Sequence, residues 1–134
     1  MSAVLKSTLR SSDVPIDFRE HIQNLRARDL LWEIDAPITI ETEAHPLVRL
    51  QFRGLKEDQR RGFLLKNVRS ADGRSFGGDL AIGCLAASRK IFETGLGMQP
   101  GDNLLELVAH ALRNPLPPEV VTNAPCQEEV HMGA

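Results

Sequence analysis

Apolar residues recur at helical spacing near the start of the chain and predict its first helix. Asp17 stands where a helix N-terminus is expected, and Glu20 follows it at the spacing typical of a capping box. The pattern predicts a helix over residues 17–28, with polar side chains between the apolar ones. The apolar residues of its predicted stripe are Phe18, Ile22 and Leu25.

Two further helices are predicted in the second half of the chain. Ser88 is placed to cap a helix over residues 88–96, and Gly97 follows at the position where many helices end in glycine. Asp102 is placed to cap another helix over residues 103–113. The predicted apolar stripes are Ile91, Phe92 and Leu96 in the first of these helices and Leu105, Val108 and Leu112 in the second.

Three short apolar runs predict strands. Residues 30–34 form the first run, and Pro37 ends or edges it. Residues 62–68 form the second, which is typical of a half-buried or central strand. A third extended run covers residues 79–85. The Asp-Gly pair at 72–73 favours a tight turn between the last two runs, which makes them candidates for neighbouring strands.

Residues 38–61 leave two alternatives open. Pro46 suits the first turn of a helix, and the apolar residues that follow keep a helical spacing. Gly54 weakens that interpretation, and the β-branched and aromatic residues of the same segment also suit a strand. The apolar residues of the helical alternative are Val48, Phe52 and Leu55.

The composition bounds the fold and excludes several classes of partner. A length of 134 residues, with 42% hydrophobic and 25% charged residues, fits one globular domain. The predicted fold class is α/β, bordering on α+β: a small mixed β-sheet with three to four helices packed on it. A formal net charge of −2 gives no footprint for nucleic acid or an anionic membrane. No apolar run approaches the roughly 20 residues that span a bilayer.

The residues with catalytic potential form no recognisable constellation. The two cysteines, Cys84 and Cys126, lie far apart and in no metal-binding pattern, which predicts reduced thiols in a cytoplasmic protein. Cys84 lies in an apolar run and is predicted to be a core residue. No two histidines share a helix face at i, i+4, and none belongs to a Cys/His cluster. The four histidines are His21, His45, His110 and His131.

Several polar features have simpler structural interpretations. His21 and His110 are predicted to lie at the surface or boundary of their helices. The glycine-rich segment 73–79 lacks a Gly-Lys-Ser/Thr ending and is interpreted as a turn between strands. Arg60 and Arg61 are interpreted as part of a solvated face. No catalytic, cofactor-binding or metal-binding residue is predicted from these patterns.

Four segments, taken in order, resemble the N-terminal part of the UbiD-like decarboxylases. Residues 17–38 resemble the opening helix and the leucine, apolar, acidic, isoleucine and proline strand after it. Residues 62–68 resemble the next strand, with its Asn-Val ending, and residues 88–97 resemble the following helix, with its serine-arginine start. Residues 117–130 include Pro-Pro-Glu-Val-Val and Ala-Pro-Cys-Gln-Glu, and resemble the connection into the family's central domain.

The resemblance implies a non-oxidative decarboxylase acting on aromatic or α,β-unsaturated acids. In that family a central split-barrel domain holds prenylated flavin mononucleotide, a divalent metal and potassium, together with a Glu-Arg-Glu acid–base set. None of those residues has a counterpart in this chain, so no catalytic residue and no cofactor ligand carries over. Residues 39–61 fit the family pattern poorly, and Ala124 stands where a glycine is common.

The resemblance also implies an organisation and a partner. The expected parts are a flexible leader (1–16), an N-terminal α/β domain (17–118) and a connector (119–134) that leads toward the central domain. The implied partner is that barrel domain, in the same chain or in a separate one, and the implied role is structural and cleft-framing. The alternative is a free-standing accessory subunit or binding module that partners a separate decarboxylase chain.

Overall fold

The computed structural model of the protein describes residues 14–99, 101–115, 117–118 and 120. The chain divides into two compact units, residues 1–104 and 105–134. Nearly all of the predicted leader and connector lies outside the described residues. The elements are α1 (Phe18–Ala27), β1 (Leu31–Ile34), β2 (Ile38–Thr39), a π-helical turn (Ile40–Ala44), α2 (His45–Gly54), a 3-10 turn (Glu57–Gln59), β3 (Gly62–Leu65), β4 (Val68–Arg69), β5 (Leu80–Ile82), α3 (Arg89–Gly95) and α4 (Leu104–Arg113).

Strand β3 is the central strand of a three-stranded sheet. Strand β1 pairs with it in parallel, with Leu31 opposite Gly62, and β5 pairs with it antiparallel, with Ala81 opposite Leu64. Strands β2 and β4 form a second parallel pair. Because β1 and β3 are parallel, the chain must cross over between them, and α2 lies in this crossover. The described chain is therefore α/β, with a small mixed sheet and four helices, as predicted.

Local capping signals fix the start of α1. The Oδ1 atom of Asp17 accepts a hydrogen bond from the backbone N–H of Glu20 at 2.8 Å, and the Glu20 carboxylate accepts one from the N–H of Ile16 at 2.6 Å. At the other end, Asp29 takes a φ of +54°, and the N–H of Leu30 donates to the carbonyl of Leu25 at 2.9 Å. This is a Schellman motif, in which the residue with the positive φ, here Asp29, is usually a glycine. The predicted helix is confirmed.

Residues 38–61 adopt the helical alternative over most of their length. Pro46 lies in the first turn of α2, and Val48 is buried as the helical stripe predicted. Phe52 is a correction, since it is exposed and Gln51 is buried in its place, whereas Leu55 is half-buried. The strand alternative holds only for β2, and a π-helical turn separates it from α2.

The two later strands are shorter than predicted. The run 62–68 is interrupted after Leu65 and resumes at Val68 as β4. The run 79–85 keeps strand geometry only to Ile82, because Gly83 adopts a φ of +70° and the chain then turns. The pairing of the two runs is confirmed, since β5 lies antiparallel to β3.

Helices form within both of the later predicted segments, 88–96 and 103–113, but their buried faces differ from the prediction. The Ser88 Oγ accepts a hydrogen bond from the N–H of Ile91, and Gly97 adopts a φ of +66° after the end of α3. Phe92 was predicted on the buried side and is exposed, whereas Thr94 is buried. Helix α4 is present, and the residues of its predicted stripe, Leu105, Val108 and Leu112, are all exposed.

The core consists of two apolar clusters on the two faces of the sheet. Alternation along β3 sends Leu64 to one face and Phe63 and Leu65 to the other. The first cluster packs beneath α1 and α3 and contains Ile22, Leu25, Leu30, Leu31, Leu64, Cys84, Ala87 and Ile91. The second packs beneath α2 and contains Ala44, Val48, Phe63, Leu65 and Val68.

The start of β3 lies against the turn that follows β5. A Cβ atom on residue 62 would be 2.7 Å from the Cys84 Sγ and 3.2 Å from the Cys84 Cα. The second of these neighbours is backbone, which has no side-chain rotation to relieve a clash. Gly62 is therefore required by the close approach of two backbone segments.

We expect Gly62→Ala to lower the free energy of unfolding by about 1–3 kcal/mol, because the added methyl group overpacks the core. The measurement is urea denaturation of the variant and the parent chain. Gly54→Ala is the matched control, since nothing lies within 4 Å of a Cβ at that position. In α2 the alanine should be neutral or stabilising by up to about 1 kcal/mol. Equal losses in the two variants would contradict this account.

His21 corrects the prediction of a surface or boundary histidine, because its side chain is only 4% exposed. Its Nε2 lies 2.6 Å from the backbone carbonyl oxygen of Cys84. Since a carbonyl oxygen only accepts, Nε2 carries the proton and donates it. The buried Nδ1 has no partner within the described residues. The helix has turned relative to the predicted stripe, so that His21 is buried and Phe18 is exposed.

Replacing His21 with alanine should lower the free energy of unfolding by roughly 2–4 kcal/mol, because it leaves a cavity and a buried carbonyl without its donor. The readout is the midpoint of urea unfolding followed by circular dichroism. His45→Ala is the control, since His45 is an exposed histidine. A His21→Ala variant as stable as the His45→Ala variant would show that the hydrogen bond contributes little.

Candidate functional site

A groove runs between α2 and the outer strand of the sheet, β1. Its volume is about 510 Å³. Strand β1 supplies one wall and α2 the other, with Phe63 of the central strand between them. The lining is mainly apolar, and its members are Trp32, Glu33, Ile34, Leu47, Leu50, Gln51, Gly54, Leu55 and Phe63. The groove therefore lies along the outer strand of the sheet.

Large apolar side chains stand exposed on both walls of this groove. Trp32 is 38% exposed and Leu50 is 66% exposed. The Trp32 ring packs edge-on against the buried ring of Phe63, with centroids 5.2 Å apart and planes at 63°. This contact holds the indole in place while part of it faces solvent. Exposed apolar patches of this kind mark interaction sites in soluble proteins.

The floor of the groove is fixed by a buried amide. The Gln51 Nε2 donates to the backbone carbonyl of Arg61 at 3.0 Å, and the Gln51 Oε1 accepts from the N–H of Arg61 at 3.1 Å. Both polar atoms of the Gln51 amide are thus satisfied although the residue is buried. The pair of bonds ties α2 to the start of β3 and sets the width of the groove.

A row of alternating charges lies beside β1. The Glu33 carboxylate is 2.5 Å from the Arg26 Nε and 3.6 Å from the Lys66 Nζ, and Lys66 is 2.7 Å from Asp79. The hydrogen bond from Arg26 lowers the pKa of Glu33, and the hydrogen bond to Asp79 raises the pKa of Lys66. These four groups neutralise one another.

The outer flank of α2 is basic and has no such compensation. Arg49 and Arg53 are one turn apart, and Lys56 follows the end of the helix. Within the described residues, no carboxylate forms an ion pair with any of these three side chains. Arg53 is also one turn beyond Leu50, so the basic flank borders the apolar groove. Arg60 differs, since its guanidinium lies over the Phe52 ring, 5.0 Å from the centroid.

A second concavity of about 550 Å³ lies between the end of α1 and α3. Its charges are balanced: the basic residues are Arg28, Arg61 and Lys90, and the acidic residues are Asp29, Glu93 and Asp102. The three carboxylates are engaged by Arg61, by Arg89 and by the N–H of Gln99 respectively. This cleft therefore offers no single sign of charge to a ligand.

Arg61 corrects the prediction of a solvated arginine pair. Its side chain is 20% exposed, and its guanidinium donates to the carbonyls of Asp58 and Arg60 and pairs with Asp29 at 3.3 Å. The buried Nε has no partner among the described residues. Arg61 therefore holds the segment just before β3 in place through these contacts.

Four residues with catalytic potential remain: His45, His110, His131 and Cys126. His45 is exposed at the start of α2, and His110 lies on α4. His131 and Cys126 lie outside the described residues. In the part of the chain that the structure describes, no group of three or more His, Cys, Asp or Glu residues is placed to hold a metal ion.

Cys84 is a buried core residue, as the sequence predicts. Burial raises the pKa of its thiol to about 11. A thiol with a raised pKa is a poor nucleophile at neutral pH because the thiolate is the reactive form.

The groove residues were not identified from the sequence. Leu50 falls outside the predicted stripe of α2, and Trp32 was assigned only to a strand. A signal was present for Leu50, since a large apolar residue at a position that the helical periodicity places on the solvent side is a candidate contact residue.

Comparison with protein-family models, with curated proteins and with solved structures finds no match to this chain. No helix among the described residues is long and apolar enough to cross a membrane.

The Cys84 thiol should react slowly with an aromatic disulfide reagent at pH 7 and faster as the pH approaches about 11. In urea it should react rapidly, because the unfolded thiol has a pKa of about 8.5. The folded state holds the proton more tightly, so the thiol's contribution to stability is complete below about pH 8.5 and declines as the pH rises toward the folded pKa. The experiment uses a Cys126→Ser background; rapid reaction of the folded chain at pH 7 would contradict the burial.

Proposed function

We propose that this chain is the N-terminal domain of a UbiD-like non-oxidative carboxy-lyase that decarboxylates aromatic or α,β-unsaturated acids. Its role is structural: it packs on the central barrel domain and helps frame the active-site cleft. It is not catalytic alone. The observation that carries the proposal is the order of the four sequence segments that resemble this family.

The positions of these segments in the fold support the proposal. The three segments within the described residues coincide with α1–β1, β3–β4 and α3. They also supply most of the first core cluster, including Ile22, Leu31, Leu64 and Ile91. A resemblance confined to surface positions would be weaker, because surface residues do not determine how the elements pack.

The groove between α2 and β1 supports a packing role. A free-standing domain rarely leaves a tryptophan and a leucine exposed on facing walls of one groove. Packing against a larger domain would cover Trp32 and Leu50 and remove their apolar surface from water. The N-terminal domain would then bind the larger domain through the groove between α2 and β1, which is already formed in this structure.

The chemistry of the reaction is assigned to the partner domain. Prenylated flavin mononucleotide, a divalent metal and potassium would be held by residues of the central barrel, and the described residues here do not form a metal-binding group. No step of catalysis is therefore derived for this chain. The proposed location is the cytoplasm, on the ground that the two cysteines lie far apart in the sequence and are expected to be reduced thiols.

Two versions of the proposal differ in where the barrel is encoded. In the first, the barrel follows in the same polypeptide. In the second, the chain is an accessory subunit that binds a separate barrel-bearing decarboxylase. Within the described residues Arg49 and Arg53 have no ion-pair partner, and under either version the barrel would present the complementary charges.

The test combines the coding sequence with co-purification. The reading frame beyond Ala134 is sequenced, and the tagged chain is purified from its source cells with the bound proteins identified by mass spectrometry. A barrel-bearing decarboxylase sequence in frame supports the first version. A separate barrel-bearing chain that co-elutes in a fixed ratio supports the second. If neither is found, the proposal is wrong.

A further inference from the structure

We infer that the groove between β1 and α2 is the docking site for an extended segment of the barrel-bearing polypeptide, a segment that is apolar at alternate positions and carries carboxylates on one side. The inference rests on the proposed function for the identity of the partner. It goes beyond that function because it names the surface, the conformation of the bound segment and the sign of its charge.

The open edge of β1 favours an extended segment. The carbonyls of Leu30 and Ile34 accept hydrogen bonds from Gly62 and Lys66, so the even-numbered residues of β1 face β3. The parallel ladder therefore points the N–H and C=O groups of Leu31 and Glu33 away from β3. No other described strand pairs with that edge. Such an edge is a template for one more strand.

The side chains of the groove define the apolar half of the site. A strand added beside β1 would send alternate side chains toward α2, where Trp32, Leu50 and Leu55 line the groove. Gly54 leaves open space on the α2 wall, since nothing lies within 4 Å of a Cβ there. An aliphatic or aromatic side chain of the partner would fit between the helix and the indole ring.

The charges around the groove indicate which charges the bound segment carries. On the β1 side, Glu33 is already paired with Arg26 and Lys66. On the α2 side, Arg49, Arg53 and Lys56 form no ion pair within the described residues. Charge complementarity therefore calls for carboxylates on the partner, on the side that meets α2.

The same charges disfavour a second copy of this chain. A twofold contact brings the same surface patch of each copy together. Two such grooves would bring two sets of uncompensated arginines into one interface, where like charges oppose association.

The test uses the single tryptophan of the chain as a reporter. The full 134-residue chain is labelled with 5-fluorotryptophan, so that its one fluorine resonance reports on Trp32 alone. The unlabelled barrel-bearing polypeptide identified by sequencing or co-purification, without a copy of residues 1–134 of its own, is added at increasing concentration. We expect a saturable shift of the resonance, together with slower amide exchange at Leu31 and Glu33 as their N–H groups gain partners.

Three variants locate the contact. Leu50→Glu should weaken binding about tenfold or more, because it places a charge in the apolar half of the site. Arg53→Glu should weaken binding by roughly threefold to tenfold and reduce its salt dependence. Leu85→Glu is the matched control, since Leu85 is 64% exposed and lies outside the groove. It should bind like the parent chain.

The outcomes separate the two proposals. If the barrel-bearing polypeptide binds but the Trp32 resonance does not move and Leu50→Glu binds no more weakly than Leu85→Glu, the docking site is wrong and the proposed function stands. If that polypeptide does not bind, the proposed function fails. A resonance that shifts with the concentration of this chain alone would assign the groove to a second copy and overturn the inference.

Discussion

The hydrogen bond from His21 to the carbonyl of Cys84 is the buried polar contact around which the first core cluster packs. It joins α1 to the turn between β5 and α3. On its other side, Cys84 lies so close to Gly62 that no side chain fits at the start of β3. One residue therefore meets the first helix through its carbonyl and the central strand through its thiol. The same burial that makes Cys84 a structural centre raises the pKa of its thiol and removes it as a nucleophile.

The contacts of Cys84 also explain why helices cover the two faces of the sheet to different extents. On the face that carries Cys84, α1 and α3 close over β1, β3 and the turn after β5. On the other face, α2 is the helix that packs on the sheet, and it is fastened at the start of β3 by Gln51. A single helix fastened there covers the central strand and leaves the edge strand partly open. The groove follows from this difference in coverage.

Local signals in the sequence were sufficient to predict where the helices and strands lie. They were not sufficient to predict which face of each helix is buried. The caps of α1 and α3 were predicted because Asp17 and Ser88 act on backbone groups three residues away. The buried faces were predicted less well, as Phe92 shows, because a stripe of apolar residues can turn by one position when another side chain finds a partner. His21 was such a case, since its partner is 63 residues away. Predicting the groove requires knowing which part of the sheet α2 leaves uncovered, and no local sequence pattern contains that information.

The residues that hold the core together and those proposed for docking lie on opposite faces but share β3. Leu64 packs in the cluster around Cys84, and its neighbour Phe63 packs against Trp32 in the groove. A segment added beside β1 would turn a three-stranded sheet into a four-stranded one and give β1 partners on both sides. Because such a segment binds only the folded chain, its binding energy would add to the stability of the whole sheet. If the proposed docking takes place, a small domain with a short, open edge strand gains stability from that linkage.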